Sequence, residues 1–596
     1  MAPFPERRPL LASDDQSPDR RDDRGDENAA PRSRWRELAL FTWALAATAA
    51  VIVLAVVIQH SNSTQHSSTS PAATGSDFSS VAGGKKTGGS SPSGNGKRNL
   101  VFMVSDGMGP ASLSLTRSFR QLTQDLPIDD TLTLDRHFWG TSRTRSSNSL
   151  VTDSAAGATA FSCGLKSYNG AISMLPDHKP CGTVLEAAKR AGYHTGLVVT
   201  TDITDATPAC FAAHVFHRMQ GDEIALHEVG HGPLGRVVDL MLGGGRCHFL
   251  PKGTPGSCRQ DDIDVTKLAQ EKYGWNYVDD RAGFNSLGLG KNVSLPQLGL
   301  FATTDVPFEI DRRNMADVYP SLSEMAATAL AALEEATKDS EKGFFLMIEG
   351  SRIDHAGHIN DPAAQVREVL EYDKTFKTVL DFIEKSDTET ILVATSDHET
   401  GGLSTAWQAP SELPVYNWHP TILARANASS EYLTFLLLKH IAETGDKEDS
   451  LLRWINDELV VKHLDIHDAS EVELNSIASN PALAVQLFAR LVSVRARVGW
   501  STHGHSAVDV NIYSSGGRGT DKIRGNVENT DVGKFLRGWL DLDNEVEDIT
   551  KELVKKLGSK VPSQQQLEKI EKASTAFEAD GLASGGFESG LYGHLL

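Results

Sequence analysis

The sequence has few cysteines and no excess of positive charge. Its 596 residues include 58 Lys and Arg against 78 Asp and Glu, which gives a formal net charge of -20. A chain without a general basic field does not attract a phosphate backbone, which excludes nucleic acid as the main partner. A small phosphate substrate remains compatible with this charge, because bound divalent cations create their own local positive field.

Cysteine is present at only five positions, so at least one thiol is left unpaired. In an oxidising compartment some of the others are expected to form disulfides. Cys247 and Cys258 flank a loop rich in Pro and Gly, and we predict a bridge between them. Cys163 lies in a run of small residues, and it is the cysteine that we expect to stay free.

A run of about 21 consecutive, predominantly apolar residues, 38–58, carries no charge. A run of this length is long enough to cross the hydrocarbon core of a bilayer. Three arginines precede this run, and no Lys or Arg follows it until Lys85. The positive-inside rule then places the N-terminus in the cytosol and the rest of the chain across the membrane. We predict a type II anchor. A cleaved signal peptide is the alternative, but the run lies far from Met1 and its apolar part is too long.

Composition divides the chain into five segments. The Ser, Thr and Gly residues after the apolar run are typical of a flexible tether. Sequons at Asn62, Asn292 and Asn427 agree with lumenal exposure and a glycoprotein. The segments are a disordered cytosolic tail (1–37), a transmembrane helix (38–58), a flexible linker (59–97), a catalytic domain (98–545) with a helical insertion at about 403–500, and a C-terminal helix with a loose tail (546–596).

Four short apolar runs, at 100–107, 196–200, 344–350 and 391–398, each end at or near polar or glycine residues. Such runs are typical of buried parallel strands. They predict an α/β fold, a three-layer α/β/α sandwich around a largely parallel sheet. Ligands gather beyond the carboxyl ends of such strands. Carboxylates and imidazoles that meet there are costly to bury unless a cation neutralises them, which predicts a multi-metal site.

Ser154 precedes a run of small residues that favours a closely packed helix beginning at this serine. The free N–H groups and positive dipole end of a helix favour a phosphate or an alkoxide. A serine hydroxyl needs a base or a metal to become a nucleophile, and no histidine is adjacent in the sequence, which favours a metal. An ordinary N-cap serine is the alternative.

Metal-ligand residues recur at the strand ends. Asp354 and His358 are four residues apart, so one helical turn brings them to the same face. Carboxylate and imidazole donors suit zinc, and carboxylates also suit magnesium. A solvated charged loop is the alternative for 349–358. The further candidates are Asp106, Glu349, Asp397, His398 and the two late histidines, His503 and His505.

Together these segments resemble the alkaline phosphatases, and most of all the fungal, membrane-anchored vacuolar members of that family. The similarity covers about 99–516, and six segments occur in the family's order. They are the turn at Asp106, 153–156, 205–208, 349–358, 397–402 and His505.

The resemblance implies a zinc- and magnesium-dependent phosphomonoesterase with a phosphoserine intermediate on Ser154. It implies two zinc ions and one magnesium per subunit, with Arg218 binding the phosphate oxygens. His505 fits the family better than His503 as the last zinc ligand. The implied ligands are Asp354, His358 and His505 for one zinc; Asp106, Asp397 and His398, with Ser154, for the other; and Asp106, Thr207 and Glu349, with Asp205 outside them, for magnesium.

The resemblance also implies a homodimer on the vacuolar membrane with a lumenal catalytic domain. His355 stands where some bacterial members have lysine, whereas Asp205 keeps the bacterial acid. The alternatives are another hydrolase of the superfamily, such as a phosphodiesterase or sulfatase, and an inactive lumenal binding protein. No sulfatase-like Cys-x-Pro-x-Arg element lies near Ser154, and every ligand position is filled by a donor, so neither alternative is favoured.

Overall fold

The computed structural model describes residues 96–445 and 448–558. The predicted cytosolic tail, the transmembrane helix, nearly all of the linker and the segment 559–596 lie outside the described residues. Within the described part, every single helix falls short of the length and apolarity needed to cross a bilayer. One strongly bent pair, Glu471–Ser479 and Pro481–Ala496, meets those requirements when its two helices are taken together.

Ten strands form one sheet, in the order β14-β2-β13-β8-β1-β7-β3-β4-β6-β5. Its neighbouring strands are parallel, except that β13 runs antiparallel to β8 and β2. Four short strands form two separate pairs, β9 with β12 and β10 with β11. The fourteen strands of the described residues are β1 (Arg98–Val104), β2 (Phe138–Arg143), β3 (His194–Asp202), β4 (Leu240–Gly244), β5 (Asn276–Val278), β6 (Gln297–Leu300), β7 (Phe344–Glu349), β8 (Glu389–Thr395), β9 (Glu399–Thr400), β10 (Ser404–Thr405), β11 (Val498–Gly499), β12 (His505–Ser506), β13 (Val510–Ser514) and β14 (Gly525–Glu528).

The four apolar runs singled out in the sequence are β1, β3, β7 and β8, which are adjacent at the centre of the sheet. The prediction of a largely parallel sheet is therefore confirmed. Because these four strands run in the same direction, their carboxyl ends lie at one edge.

Helices cover both faces of the sheet. The α-helices of the described residues, which include those of the insertion, are α1 (Pro110–Thr123), α2 (Thr133–Arg136), α3 (Ser154–Cys163), α4 (Val184–Arg190), α5 (Ala206–Ala212), α6 (Gly221–Leu226), α7 (Val265–Tyr273), α8 (Arg281–Ser286), α9 (Glu309–Arg312), α10 (Leu322–Thr337), α11 (Arg352–His358), α12 (Pro362–Lys385), α13 (Pro420–Arg425), α14 (Ser430–Thr444), α15 (Glu448–Trp454), α16 (Lys462–Leu464), α17 (Glu471–Ser479), α18 (Ala484–Ala496), α19 (Asn529–Trp539) and α20 (Asp543–Leu557).

The central strand β1 shows why the protein has three layers. All seven of its residues are buried, and alternate side chains point to opposite faces. Phe102 packs on one side with Phe161 of α3, whereas Met103 belongs to the apolar core on the other side, which includes Phe376 of α12. A strand buried on both faces needs helices on both sides, and the sandwich supplies them.

Residues 403–500, predicted to form a helical insertion, contain helices α13 to α18. These helices enclose a separate apolar core that includes Leu433, Ile455 and Phe488. Leu115 and Phe119 of α1 belong to the same core, so this helical segment is packed onto the sandwich near its first helix.

The cysteines confirm one prediction and correct another. Cys247 and Cys258 are disulfide-bonded, as predicted. The expectation that Cys163 stays free is wrong, because it is bonded to Cys181, with 6.0 Å between their Cα atoms. The free thiol belongs to Cys210 on α5, which is buried against α3 and lies 3.3 Å from the carbonyl oxygen of Ala155. Which cysteine stays free depends on how the helices pack, and the spacing of the cysteines in the sequence does not reveal that packing.

We predict that a non-reducing peptide map of the denatured protein will contain two linked pairs, Cys163 with Cys181 and Cys247 with Cys258. An alkylating reagent added after denaturation should modify Cys210 alone. Alkylation of Cys163 without prior reduction would contradict the arrangement.

Candidate active site

Three buried carboxylates lie at the carboxyl ends of neighbouring strands. Asp106 follows β1, Glu349 ends β7 and Asp397 follows β8, and each has an exposed fraction of 4% or less. The turn after β1 lies directly against α11, since a Cβ on Gly107 would be 2.5 Å from the Cα of Asp354. The sheet thus brings together acids that are far apart in the sequence.

Asp354, His358 and His505 converge on one point, with one ligand atom of each within 4.8 Å of the others. The Nε2 of His358 lies 3.2 Å from Asp354 Oδ2, and the Nε2 of His505 lies 3.6 Å from Asp354 Oδ1. His503, the alternative candidate, lies outside this group. Its Nδ1 is 2.8 Å from the carbonyl oxygen of His358.

His398 is at the centre of a second group. Its Nε2 lies 3.5 Å from Asp106 Oδ1 and 3.2 Å from Asp397 Oδ2. The same nitrogen is 3.0 Å from the hydroxyl oxygen of Ser154. The histidine that the sequence does not place beside Ser154 is therefore supplied by the end of β8, 244 residues away.

Ser154 is the first residue of α3, not its N-cap. Asp153 is the cap, and its side chain accepts a hydrogen bond from the backbone N–H of Ala156. The alternative reading of Ser154 as an ordinary capping serine is therefore wrong. Gly157 allows the helix to approach the donors closely, since a Cβ there would lie 2.9 Å from that of Asp397.

The remaining candidates lie around the N-terminus of α5. Asp205 caps this helix, and Thr207 is in its first turn with a buried hydroxyl. Arg218 donates from Nη2 to Asp205 Oδ1 at 2.8 Å, and its Nη1 is 3.7 Å from Asp153 Oδ2. The two carboxylates hold the guanidinium group, which is about one-quarter exposed. The Nδ1 of His355 lies 3.0 Å from Oδ2 of Asp305, so this histidine pairs with an acid outside the set of candidate ligands.

Comparison with known proteins gives the family. The family profile of alkaline phosphatase matches residues 97–542. The chain is 55% identical over 476 residues to the repressible alkaline phosphatase of Saccharomyces cerevisiae, covering 76% of this chain and 84% of the yeast protein. It is 47% identical over 458 residues to the alkaline phosphatase of Schizosaccharomyces pombe, covering 76% of this chain and 83% of that protein.

A solved structure supports the same conclusion. The alkaline phosphatase of Thermus thermophilus superposes with a TM-score of 0.63 at 27% identity, covering 77% of this chain and 96% of that one. The chain belongs to the alkaline phosphatase family. It is a metal-dependent phosphomonoesterase, and the predicted resemblance to fungal members is confirmed.

The electrostatics of this alkaline phosphatase favour bound cations. Burial, together with the neighbouring Asp397 and Asp354, raises the pKa of Asp106 well above its usual range. Burial raises the pKa of Glu349 to about 8. Burial also acts to raise the pKa of Asp354. The facing histidines outweigh this effect, with His358 contributing most, so the pKa of Asp354 lies well below its usual value. The hydroxyl of Thr207 and one oxygen of Asp106 are buried without a hydrogen bond. Divalent cations would let these acids ionise and would satisfy these atoms.

Two histidines of this alkaline phosphatase, His358 and His505, direct their Nε2 atoms toward the same point. His358 Nδ1 donates to the carbonyl of His503 at 2.5 Å, and His505 Nδ1 donates to that of Thr152 at 2.8 Å. A carbonyl accepts only, so each Nδ1 carries a proton, and in the neutral imidazole each Nε2 then keeps its lone pair. The two Nε2 atoms face each other at 3.1 Å. Facing lone pairs suit a shared zinc ion.

Two other metal-like patterns in the described residues do not form such a site. The segment 227–231 reads His-Glu-Val-Gly-His, a zinc-protease pattern, but Gly230 has a φ of +110° that breaks the helix. His231 then contacts the hydroxyl of Tyr273, whereas His227 lies near Glu223. Cys247, His248 and Cys258 are close together, but both sulfurs are used in the disulfide.

Sequence reasoning missed three residues that act on this site. Asp153 both caps α3 and faces Arg218. Ser351 donates to Glu349 Oε2 at 2.7 Å. Thr400 contacts both Asp354 and His398. The capping role of Asp153 could have been predicted, because Asp is a preferred N-cap. The contacts of Thr400 carry no sequence signal.

We predict that Gly107→Ala will lower activity by about 100-fold or more, because the new Cβ displaces Asp354 and a shift of about 1 Å in an active site has an effect of this size. Gly253→Ala is the matched control: its φ is +83°, close to the +77° of Gly107, but nothing lies within 4 Å of the added carbon. The control should lose about 1 kcal/mol of stability and keep its activity. Equal activities of the two variants would contradict the close approach at Asp354.

Proposed function

We propose that this phosphatase hydrolyses phosphate monoesters through a phosphoserine intermediate on Ser154, with two zinc ions and one magnesium ion per subunit. The observation that carries the proposal is the position of the Ser154 hydroxyl. It lies at the N-terminus of α3 and 3.0 Å from His398 Nε2, within the converging carboxylates and imidazoles.

The donor sets fit the metals that the family resemblance implies. Carboxylate and imidazole donors suit zinc, and an all-oxygen set suits magnesium. Bound there, the cations would lower the pKa of the serine hydroxyl, neutralise phosphate charge and stabilise the leaving oxygen. One zinc would be held by Asp354, His358 and His505, the other by Asp106, Asp397 and His398, and magnesium by Asp106, Thr207 and Glu349 with Asp205 nearby.

The chain's own groups bind and orient the phosphate. The N-terminus of α3, a ten-residue helix, presents backbone N–H groups and a partial positive charge beside Ser154. Arg218 offers a planar fork suited to two phosphate oxygens. Because Asp205 and Asp153 already hold this guanidinium group, its orientation is set before substrate arrives.

Turnover takes two displacements at phosphorus. The Ser154 hydroxyl gives its proton to solvent and its oxygen attacks, the bond from that oxygen to phosphorus forms, and the bond from phosphorus to the alcohol oxygen breaks; the leaving alkoxide takes a proton from water. Water then attacks the phosphoserine from the opposite side and releases Ser154 and inorganic phosphate. Two inversions give net retention of configuration. Recognition of the phosphate dianion predicts broad specificity for the alcohol.

We also propose that the enzyme is a homodimer held at the vacuolar membrane as a type II protein, with its catalytic domain in the lumen. The apolar run 38–58 and the similarity to the yeast repressible enzyme support this location. Digestion of the catalytic domain by protease added outside intact vacuoles would contradict the orientation. A single monomeric species in sedimentation would contradict the dimer.

We predict that Ser154→Ala will lower kcat by about 10⁴-fold or more, because the covalent route is lost. Ser162→Ala, a buried serine in the same helix, is the matched control and should keep its activity. Acid-quenched wild-type protein should carry phosphate on Ser154, as detected by peptide mass spectrometry. Wild-type turnover by Ser154→Ala, or phosphate trapped on another residue, would contradict the mechanism.

A further inference from the structure

Thr400 joins the two groups of metal-ligand residues. It is the last residue of β9 and is fully buried. Its hydroxyl donates a hydrogen bond to Asp354 Oδ1 and lies 3.1 Å from Nδ1 of His398. Asp354 lies with His358 and His505 and also with Asp106 and His398, so its carboxylate stands between the first group and the histidine beside Ser154.

Proton counting fixes the direction of both hydrogen bonds. A hydroxyl has one proton to donate, and Oδ1 of Asp354 is the atom that accepts it. The proton of Thr400 therefore goes to Asp354, and its oxygen accepts the Nδ1–H of His398. This arrangement selects one tautomer of His398, in which the lone pair of Nε2 faces Ser154 and Asp397.

The group that accepts the Nδ1–H of His398 is a side-chain hydroxyl, whereas backbone carbonyls accept from the other two histidines. His358 and His505 donate to backbone carbonyls, which no side-chain substitution removes. His398 donates to a side-chain hydroxyl, which could donate to Nδ1 instead if Asp354 did not take its proton. The tautomer of His398 therefore depends on the position of the Asp354 carboxylate, which takes the proton of Thr400.

The backbone holds Thr400 firmly in this position. Its N–H donates to the carbonyl of Gly107 at 3.1 Å, and it pairs with His505 in the short antiparallel sheet. Gly357 of α11 lets the helix come close, since a Cβ there would be 2.9 Å from the Cβ of Thr400. Any loss of the hydroxyl would therefore leave Asp354 and His398 without the group that joins them.

We propose that Thr400 is a positioning residue that links the two zinc sites, because its one hydroxyl both contacts Oδ1 of Asp354 and holds His398 in the tautomer that ligates through Nε2. The inference rests on the proposed function, since it assumes that both groups bind zinc. Partners of metal-ligating histidines typically change metal affinity by about 10- to 100-fold when removed.

The test measures zinc affinity of the metal-stripped protein by competition with a chelator of known affinity. Thr400→Val removes the hydroxyl with little change of shape, Thr400→Ala removes it with less bulk, and Thr400→Ser keeps it. Thr375→Val is the matched control. Thr375 is also fully buried, but its hydroxyl donates to the carbonyl of Glu371, one turn earlier in α12. Circular dichroism reports the fold of each variant.

We expect Thr400→Val and Thr400→Ala to bind zinc about 10- to 100-fold more weakly than wild type. Thr400→Ser and Thr375→Val should remain within about threefold. Activity of the Val variant should rise toward the wild-type value as zinc is added, which a purely structural defect would not allow.

Zinc affinity of the Val and Ala variants equal to wild type would overturn the proposal, as would an equal loss in Thr400→Ser. Unfolding of both hydroxyl-free variants would also overturn it, because the hydroxyl would then support the fold and not His398. Failure of the wild-type protein to bind zinc would overturn the metal assignment itself, and this inference with it.

Discussion

The sheet buries carboxylates side by side at the ends of its parallel strands, and buried acids of this kind require opposite charge beside them. Asp106, Glu349 and Asp397 are almost fully buried and close enough to raise one another's cost of ionisation. Taking a charged group out of water costs several kcal/mol in a protein unless an opposite charge compensates. The imidazoles and the expected cations supply that compensation, and the rigid central strands hold the acids where repulsion alone would separate them.

Close approach of chain segments makes this concentration of donors possible. Three glycines lie where donor-bearing segments meet: Gly107 against Asp354, Gly157 against Asp397, and Gly357 against Thr400. In each case a side chain would occupy the space of a ligand or its partner. The small residues of α3 let this helix begin near the strand ends, with Ser154 3.0 Å from His398 Nε2.

The central strands could be predicted because each is a short apolar run that ends in polar residues, and parallel strands place those residues at one edge. Ser154 and the Asp354–His358 pair were found through local patterns of helix start and helix spacing. Contacts between distant residues could not be found in this way. Thr400 meets Asp354 across 46 positions, and Cys163 meets Cys181 through the packing of a loop. His503 and His505 are two residues apart, so a strand-like period of two does not distinguish them. In the fold, Nε2 of His505 faces Asp354 and His358, whereas Nδ1 of His503 contacts the carbonyl of His358.

Anomalous diffraction at the zinc edge, measured from crystals of the active enzyme, tests whether the two histidine-carboxylate groups hold zinc. We predict two peaks per subunit, one among Asp354, His358 and His505 and the other among Asp106, Asp397 and His398. Crystals of active enzyme that show no zinc peak at either position would contradict this prediction.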